Sequence, residues 1–493
     1  MPSDSKFCNE VTESRATSNE PLELLSPRRT LEVEFIKDAR SGVETWNFDQ
    51  DNDDQGKKFS LDWTPGLINI LRNKLVSWKP SFPLQYPWSR ECSKKDALET
   101  YFHEGRDRFV TFKFSQEDDI LAIAKELKAL PEIDRAVAVP LLAPPSQPLE
   151  EPFAGSSDQV VRMCGPSGCL TNQWYLFRCG VPDAWAEPAS ASGNGVVIAD
   201  IDWGFDLSHP DLINTELTKN VIRDSPNVSD GNLLWHGNGV LGLAGAAVNA
   251  EGMAGIAYEA TLWAIQAATG AINIPVDPEC WVAAIHFVRV TQATGRKIII
   301  LELQSAKFSN PEMILTISHE IKLAIEDQIV VCVPAGNGNR YEDAGRDDQG
   351  LAIPETGSIV VGATVFHPQK NLRAGSNGGS RVTVYAPGDS ECDLTCGLRK
   401  GYRDHFGGTS GATAKVAGIV ALMLEKNDLL TPDQIRYILA QSQKPVVDEN
   451  DNRVGVLVDA TQAVSAAMQM RSTSGATLAA AKIKHGEGAL QAA

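Results

Sequence analysis

Three segments of this 493-residue chain carry side chains of the types that do nucleophilic chemistry. In VVIADIDWGFDLSHPDL (Val196–Leu212) an apolar strand runs directly into Asp202 and a glycine-containing turn. In WHGNGVLGLAGA (Trp235–Ala246) His236 is followed by small residues that open a tightly packed helix. In FGGTSGATAKVAGIVALM (Phe406–Met423) Gly-Gly-Thr-Ser leads into a helix rich in alanine and valine. Taken singly, each has an ordinary structural role: Asp202 ends a strand, His236 sits in a helix and Ser410 caps one. The helix start at Ser410 nevertheless offers backbone N–H groups and the positive end of a helix dipole to an anion forming beside it. Gly411 and Ala412 leave room there for a carbonyl to approach.

Bringing these side chains together takes a scaffold that delivers strand ends and helix starts to one place. Beyond about residue 160 the pattern predicts strands at Gly195–Asp200, Thr261–Ile265, Lys297–Leu303, Ile329–Val333 and Ser358–Ala363. Helices are predicted at Cys280–Thr294, Pro311–Asp327 and Ser410–Glu425. Near-continuous apolar strands separated by helices imply a parallel sheet buried on both faces, with sites at the carboxyl ends of its strands. Upstream, Leu31–Phe35 and Arg108–Phe114 alternate like strands, Asp49–Gly56 is an acidic loop, and Leu67–Trp78 and Asp118–Leu130 have helical spacing. Ala136–Leu142 is strand-like and precedes the proline-rich Ala143–Pro152. The chain therefore reads as α/β: a flexible tail over 1–29, a smaller α+β N-terminal domain over 30–150, a larger domain with a mainly parallel central sheet over 160–465, and a flexible tail over 466–493.

Together the three segments resemble the motifs of the subtilisin-like serine proteases (subtilases, peptidase S8), over roughly Asn172 to Val464. IADIDWG places that family's catalytic aspartate on Asp202, HGNGVLG its histidine on His236, and GGTSGATAKVAG its nucleophile on Ser410. The order Asp, His, Ser is the family's order. VVCVPAGNGN (Val330–Asn339) resembles the segment supplying the oxyanion-hole asparagine, which falls on Asn337; by itself this Asn would be a turn residue. NQWYLFRCGVPDAWA, EGMAGIAYEATLWAIQ and VYAPGDS resemble further family segments that carry packing.

The resemblance implies a subtilisin-like three-layer fold and a serine endopeptidase, with protein or peptide as its partner and substrate. It implies an acyl-enzyme formed by Ser410 and no metal or organic cofactor in the chemistry. Structural calcium is left open elsewhere in the chain but is not supported by Ala246–Gly255, which is too short for the calcium loop of some relatives. The substrate groove is expected to include Glu302, Gln304 and Gly336, with Glu302 either pairing a basic side chain or standing as a carboxylate without a part in specificity. Three positions depart from the family pattern: Gly239 where a second histidine is usual, Gly411 where methionine is, and Ala414-Lys415 where Pro-His is. The N-terminal domain resembles the family's folding propeptides and is expected to pack on the catalytic domain; an unrelated regulatory domain is the alternative. The competing functions are peptide acyl transfer or macrocyclisation on the same triad, and a catalytically silent binding protein, against which the retention of all four site residues counts.

Composition removes other classes. A net charge of −18 repels nucleic acid and anionic membrane surfaces. No segment approaches the roughly 18 apolar residues of a membrane span, and the first twenty residues lack the apolar core of a secretory signal, so a cytoplasmic protein is expected. Nine cysteines cannot all pair. Cys164 with Cys169 and Cys392 with Cys396 are spaced to pair in an oxidising compartment, but mostly reduced thiols are the expectation, and no companion pair at zinc-site spacing exists.

Overall fold

The structure, a computed structural model, describes residues 30–41, 63–82, 100–143 and 173–471, short internal interruptions excepted. The predicted tail at 1–29, the acidic loop at 49–56 and all but the first residue of the proline-rich linker lie outside the described residues.

The larger unit is built on a ten-stranded sheet. Its third strand from one edge is β6 (Val196–Asp202), every residue of which is buried. β6 pairs in parallel with β8 (Thr261–Gln266) on one side and β9 (Arg296–Leu301) on the other. β7 (Thr215–Asn220) extends the sheet beyond β8, and β11 (Val330–Pro334), β12 (Ile359–Val365) and β14 (Val384–Pro387) extend it beyond β9, all in parallel register. β7 was not anticipated. Its TELTKN sequence is polar and only its last residue is buried, so it lacks the apolar run that marks the inner strands.

Both faces of the sheet are covered. Helices α5 (Leu234–Gly245) and α8 (Gly408–Lys426) lie in one apolar core, with the even-numbered residues Val196, Ile198, Ile298 and Ile300 facing them. Helices α6 (Pro278–Val290) and α7 (Leu315–Glu326) lie in the other, with Val197, Ala199, Ile201 and Ile299. The period-two split of β6 and β9 is what buries a strand on both sides. Residues 460–471 form a helix that buries Ala463, Val464 and Ala467, so the expected tail from 466 is ordered through Arg471. Its Ala- and Ser-rich composition had read as a tail because small side chains bury with little hydrophobic signal.

The smaller unit is a four-stranded antiparallel sheet in the order β2 (Leu75–Pro80), β3 (Phe109–Phe114), β1 (Thr30–Phe35), β4 (Ile133–Ala138). Helix α2 (Ile120–Lys128) begins where the Asp119 carboxylate accepts the N–H groups of Leu121 and Ala122. The predicted helix over Leu67–Trp78 is shorter than expected: α1 spans Pro65–Leu71, and from Leu75 the chain pairs with β3, which buries Trp78 against Trp63.

This sheet packs on α6 and α7, and its apolar residues join theirs in one continuous core. Ion pairs cross the contact. Arg106 donates to Glu320 at 2.7 Å, and Arg289 reaches Glu320 at 2.8 Å and Glu104 at 3.0 Å. Burial alone would push the Glu320 carboxyl up, but Arg106, His286 and Arg289 outweigh it and hold it far below the usual range. Beside this cluster His319 packs against Phe82 and Phe109, its Nε2 facing the Glu104 carbonyl at 2.8 Å. Glu32 accepts from the backbone and hydroxyl of Thr316 at the start of α7, and burial raises it to about 7. Among the described residues no helix is long and apolar enough to cross a membrane.

Burial lowers His319 to about 4, which means folding must strip its proton. The stability tied to the neutral ring is complete above the ordinary histidine value and is lost as pH falls toward about 4. His319→Gln removes this loss. Relative to wild type it should gain up to about 3 kcal/mol between about pH 7 and about pH 4, read from urea unfolding at each pH.

Candidate active site

β6 ends on Asp202, whose side chain is fully buried. A carboxylate in such a place needs donors, and it has two. The Trp203 N–H donates to Oδ1 at 2.5 Å, and His236 Nδ1 lies 2.7 Å from Oδ2 and 2.9 Å from Oδ1. His236 is the third residue of α5, and its other nitrogen, Nε2, lies 3.1 Å from Ser410 Oγ. Phe406 packs on the imidazole with ring centroids 5.5 Å apart. Three residues 34 and 174 positions apart thus form one continuous buried chain of hydrogen bonds.

The sequence achieves this by letting two helices approach the sheet end closely. A Cβ on Gly237 would lie 2.5 Å from the Gly204 carbonyl, and one on Gly418 would lie 2.8 Å from Ile256 Cβ. Ser410 is the third residue of α8, which opens at Gly408 with φ +66 and is tied by the Gly408 N–H to the Gly388 carbonyl at 2.8 Å. Two of the family departures have a physical setting here, whereas nothing in the structure explains Gly411. A Cβ on Gly239 would lie 2.5 Å from the Phe406 ring, so a histidine has no room there. Lys415 is buried, donates to the Pro387 carbonyl at 2.8 Å and lies 4.5 Å from the centre of the Tyr175 ring, which offsets its burial.

Asn337 follows β11, and its side chain is oriented by Thr409. The Thr409 N–H and hydroxyl both bond Asn337 Oδ1, at 2.9 and 3.0 Å. With the oxygen so fixed, the amide's NH2 branch is directed away from Thr409. Its backbone N–H donates to Gln304 Oε1 at 3.0 Å. Gly336 has φ +94, and a Cβ on it would lie 2.0 Å from the Phe308 carbonyl, so only glycine serves. Gln304 and Ser305 form the short strand β10, which pairs antiparallel with β5 (Leu142–Ala143) from the smaller unit.

Glu302 lies elsewhere than on an open groove wall. It is fully buried, and neither carboxylate oxygen has a hydrogen-bond partner. Burial, then the nearby Asp202 charge, holds its carboxyl well above the usual range. Asp200 was not singled out from the sequence. It is buried and unpartnered, and burial followed by Asp202 and Glu302 raises it likewise. The signal was present: an acid inside an otherwise apolar strand, two residues before Asp202 and on the same strand face.

One cluster of metal-ligating types occurs among the described residues: His209, Asp211 and Cys396, with ligand atoms within 4.8 Å of one another. The histidine and the aspartate are already engaged. Asp211 accepts from Tyr402, Asn249 and the Met253 N–H, His209 Nδ1 accepts from the Asp211 N–H, and His209 Nε2 faces the Gly401 carbonyl. The group fastens a turn against β15 (Thr395–Cys396) and β16 (Tyr402–Arg403).

A carboxylate, an imidazole and a helix-borne hydroxyl in line, beside an oriented amide, constitute the equipment of a serine hydrolase on a parallel α/β sheet. The Subtilase family (peptidase S8) matches residues 193–456, more than half of the chain. An intracellular serine protease of Paenibacillus polymyxa is 27% identical over 272 residues, 53% of this chain and 77% of that protein. Subtilisin E of Bacillus subtilis (strain 168) is 30% identical over 248 residues, 50% of this chain and 59% of its own length. Subtilisin of Bacillus pumilus is also 30% identical over 248 residues, which cover 82% of it. Fervidolysin of Fervidobacterium pennivorans shares the fold, with a TM-score of 0.56 at 18% identity over 90% of this chain and 61% of that one. The chain belongs to the subtilase family of serine endopeptidases.

The close fit of Gly239 to Phe406 is testable. Gly239→Ala forces the ring to move, so it should destabilise the fold by about 1–3 kcal/mol, measured as a lowered urea midpoint, while Gly411→Ala, whose Cβ would meet nothing nearer than 3.5 Å, should not.

Proposed function

We propose that the chain hydrolyses peptide bonds in protein or peptide substrates through Asp202, His236 and Ser410. The observation that carries this reading is the unbroken set of contacts from Asp202 Oδ2 to His236 Nδ1 at 2.7 Å and from His236 Nε2 to Ser410 Oγ at 3.1 Å. His236 takes the Ser410 proton as Oγ attacks the carbonyl carbon, and Asp202 stabilises the imidazolium. Asn337 and the Ser410 N–H at the start of α8 receive the oxyanion, a donor arrangement worth about 10²–10³ in rate per donor in this chemistry. The imidazolium then protonates the leaving amine, and water releases the acyl group. No metal or organic cofactor is assigned a step.

The smaller unit is assigned the role of an intramolecular cover. β5 lies along β10, the edge whose Gln304 side chain also holds Asn337, so it takes the place that an extended substrate backbone would use. Relatives named as intracellular serine proteases support a cytoplasmic location.

Intact mass after fluorophosphonate treatment tests the nucleophile. One adduct on wild type and none on Ser410→Ala is the expected result; equal labelling of both rejects it. Product masses from a peptide substrate distinguish hydrolysis from acyl transfer to an amine. Replacing Leu142 and Ala143 by proline removes both strand donors of β5. If β5 shields the edge, this double variant should cleave a peptide about threefold faster or more at low substrate; an unchanged rate removes the cover role.

A further inference from the structure

Phe308 stands apart from the residues that the triad mechanism uses. Seven non-glycine residues among those described have a left-handed backbone, and six of them are Ser, Asp, Gln, Asn or Arg. Phe308, at φ +68, is the aromatic one, and a bulky side chain in that region strains the backbone. Its burial is inverted as well: Phe308 is 37% exposed, whereas the polar Ser309 and Asn310 that follow it are buried. Folding gives little reason for this choice. A glycine at 308 would relax the backbone, and an apolar ring left partly in water contributes little to the core.

The loop that carries Phe308 is closed on itself. The Ser305 N–H donates to the Ser309 carbonyl at 2.9 Å, the Ser309 N–H to Ser305 Oγ at 2.9 Å, and the Phe308 N–H to the Ser305 carbonyl at 2.8 Å. Asn377 ties this loop to the active site. Its Nδ2 donates to the carbonyls of Phe308 at 2.6 Å and Ala335 at 2.9 Å, and its N–H donates to the Gly336 carbonyl at 2.8 Å. The Phe308 carbonyl thus lies against Gly336, the residue before Asn337. Backbone dimensions then put the Phe308 Cα no more than about 10 Å from that of Asn337. The loop also continues directly from β10, the edge on which β5 lies. A peptide paired with β10 as β5 is would lay the residues before its cut bond along this edge.

We propose that Phe308 is a specificity residue of the hydrolysis proposed above, its ring forming an apolar wall for a substrate side chain on the amino side of the cut bond. This rests on Ser410 being the nucleophile. Burying the ring against that side chain removes apolar surface from water only in the complex, so an apolar residue there is favoured over a polar one of similar size. The strained backbone, clamped at its carbonyl by Asn377, holds the ring out before substrate arrives.

The test uses the full-length chain and peptides of one length that carry leucine or asparagine at each of the four positions before the cut bond, compared by kcat/KM. Wild type should prefer leucine at least about tenfold at one of these positions. Phe308→Gly should bring that ratio to within about threefold of unity by slowing the leucine peptide, while Phe308→Leu, which keeps an apolar side chain, retains most of it. The urea midpoint of Phe308→Gly should stay near that of wild type, because relief of the backbone offsets the ring's lost contacts. Should Phe308→Gly fail to fold by circular dichroism, Phe308→Asn, whose short polar side chain tolerates the same backbone, takes its place. An equal loss for both peptides, an unchanged ratio, or no leucine preference in wild type overturns the proposal. So does faster cleavage of both peptides alike by Phe308→Gly, which would make the ring a hold on the smaller unit. Labelling of Ser410 by fluorophosphonate without cleavage of any peptide rejects peptide hydrolysis, and the role of Phe308 with it. Wild type that neither labels nor cleaves removes the Ser410 reading itself, whereas labelling and cleavage without the leucine preference remove only the present one.

Discussion

Placing a carboxylate at the dry end of β6 is the constraint on which the rest of the structure depends. Asp202 is fully buried, and its charge is tolerable only because the Trp203 N–H and the His236 ring meet it directly. That requirement fixes the start of α5 against the strand end, and Gly237 is there because anything larger would strike the Gly204 carbonyl. His236 in turn fixes where Ser410 must arrive, and α8 delivers it from a start pinned to Gly388. Two further acids, Asp200 and Glu302, share the same small volume. Burial raises both of their carboxyls, whereas Asp202 is the one of the three whose oxygens meet hydrogen-bonding partners.

Much of this was legible in the sequence, for identifiable reasons. Inner strands such as β6 and β11 are buried on both faces, so their near-continuous apolar runs announce them. The chemical residues sit at strand ends and helix starts, where the run breaks into Asp-Trp-Gly or Gly-Thr-Ser. What escaped had no such contrast. β7 is a polar edge, and the helix over 460–471 buries mostly small residues. The change from helix to strand after Leu71 depends on pairing with β3, a contact between distant residues that local spacing does not encode. Glu302 was visible as an acid near the groove, but that its side chain is buried near Asp202 rather than turned to solvent is decided by contacts between distant residues, not by its neighbours in sequence.

The smaller unit is joined to the larger one by more than a linker. Its apolar residues and those of α6 and α7 form one core, and the Arg106–Glu320–Arg289–Glu104 ion pairs close the rim. Buried ion pairs contribute little net attraction but penalise every arrangement in which one member is left alone. They therefore specify how the two units meet, while the shared core supplies the affinity.

The pairing of β5 with β10 has a consequence for geometry of a different kind. Because the two run antiparallel, with Leu142 opposite Ser305 and Ala143 opposite Gln304, a chain on this edge advances from its amino toward its carboxyl end as it nears Asn337. A ladder of backbone bonds is nearly blind to side-chain identity but not to polarity, since the spacing of donors and acceptors changes when a strand is reversed. The edge thus discriminates by direction before it discriminates by residue: a retro-sequence peptide with identical side-chain order would meet it out of phase.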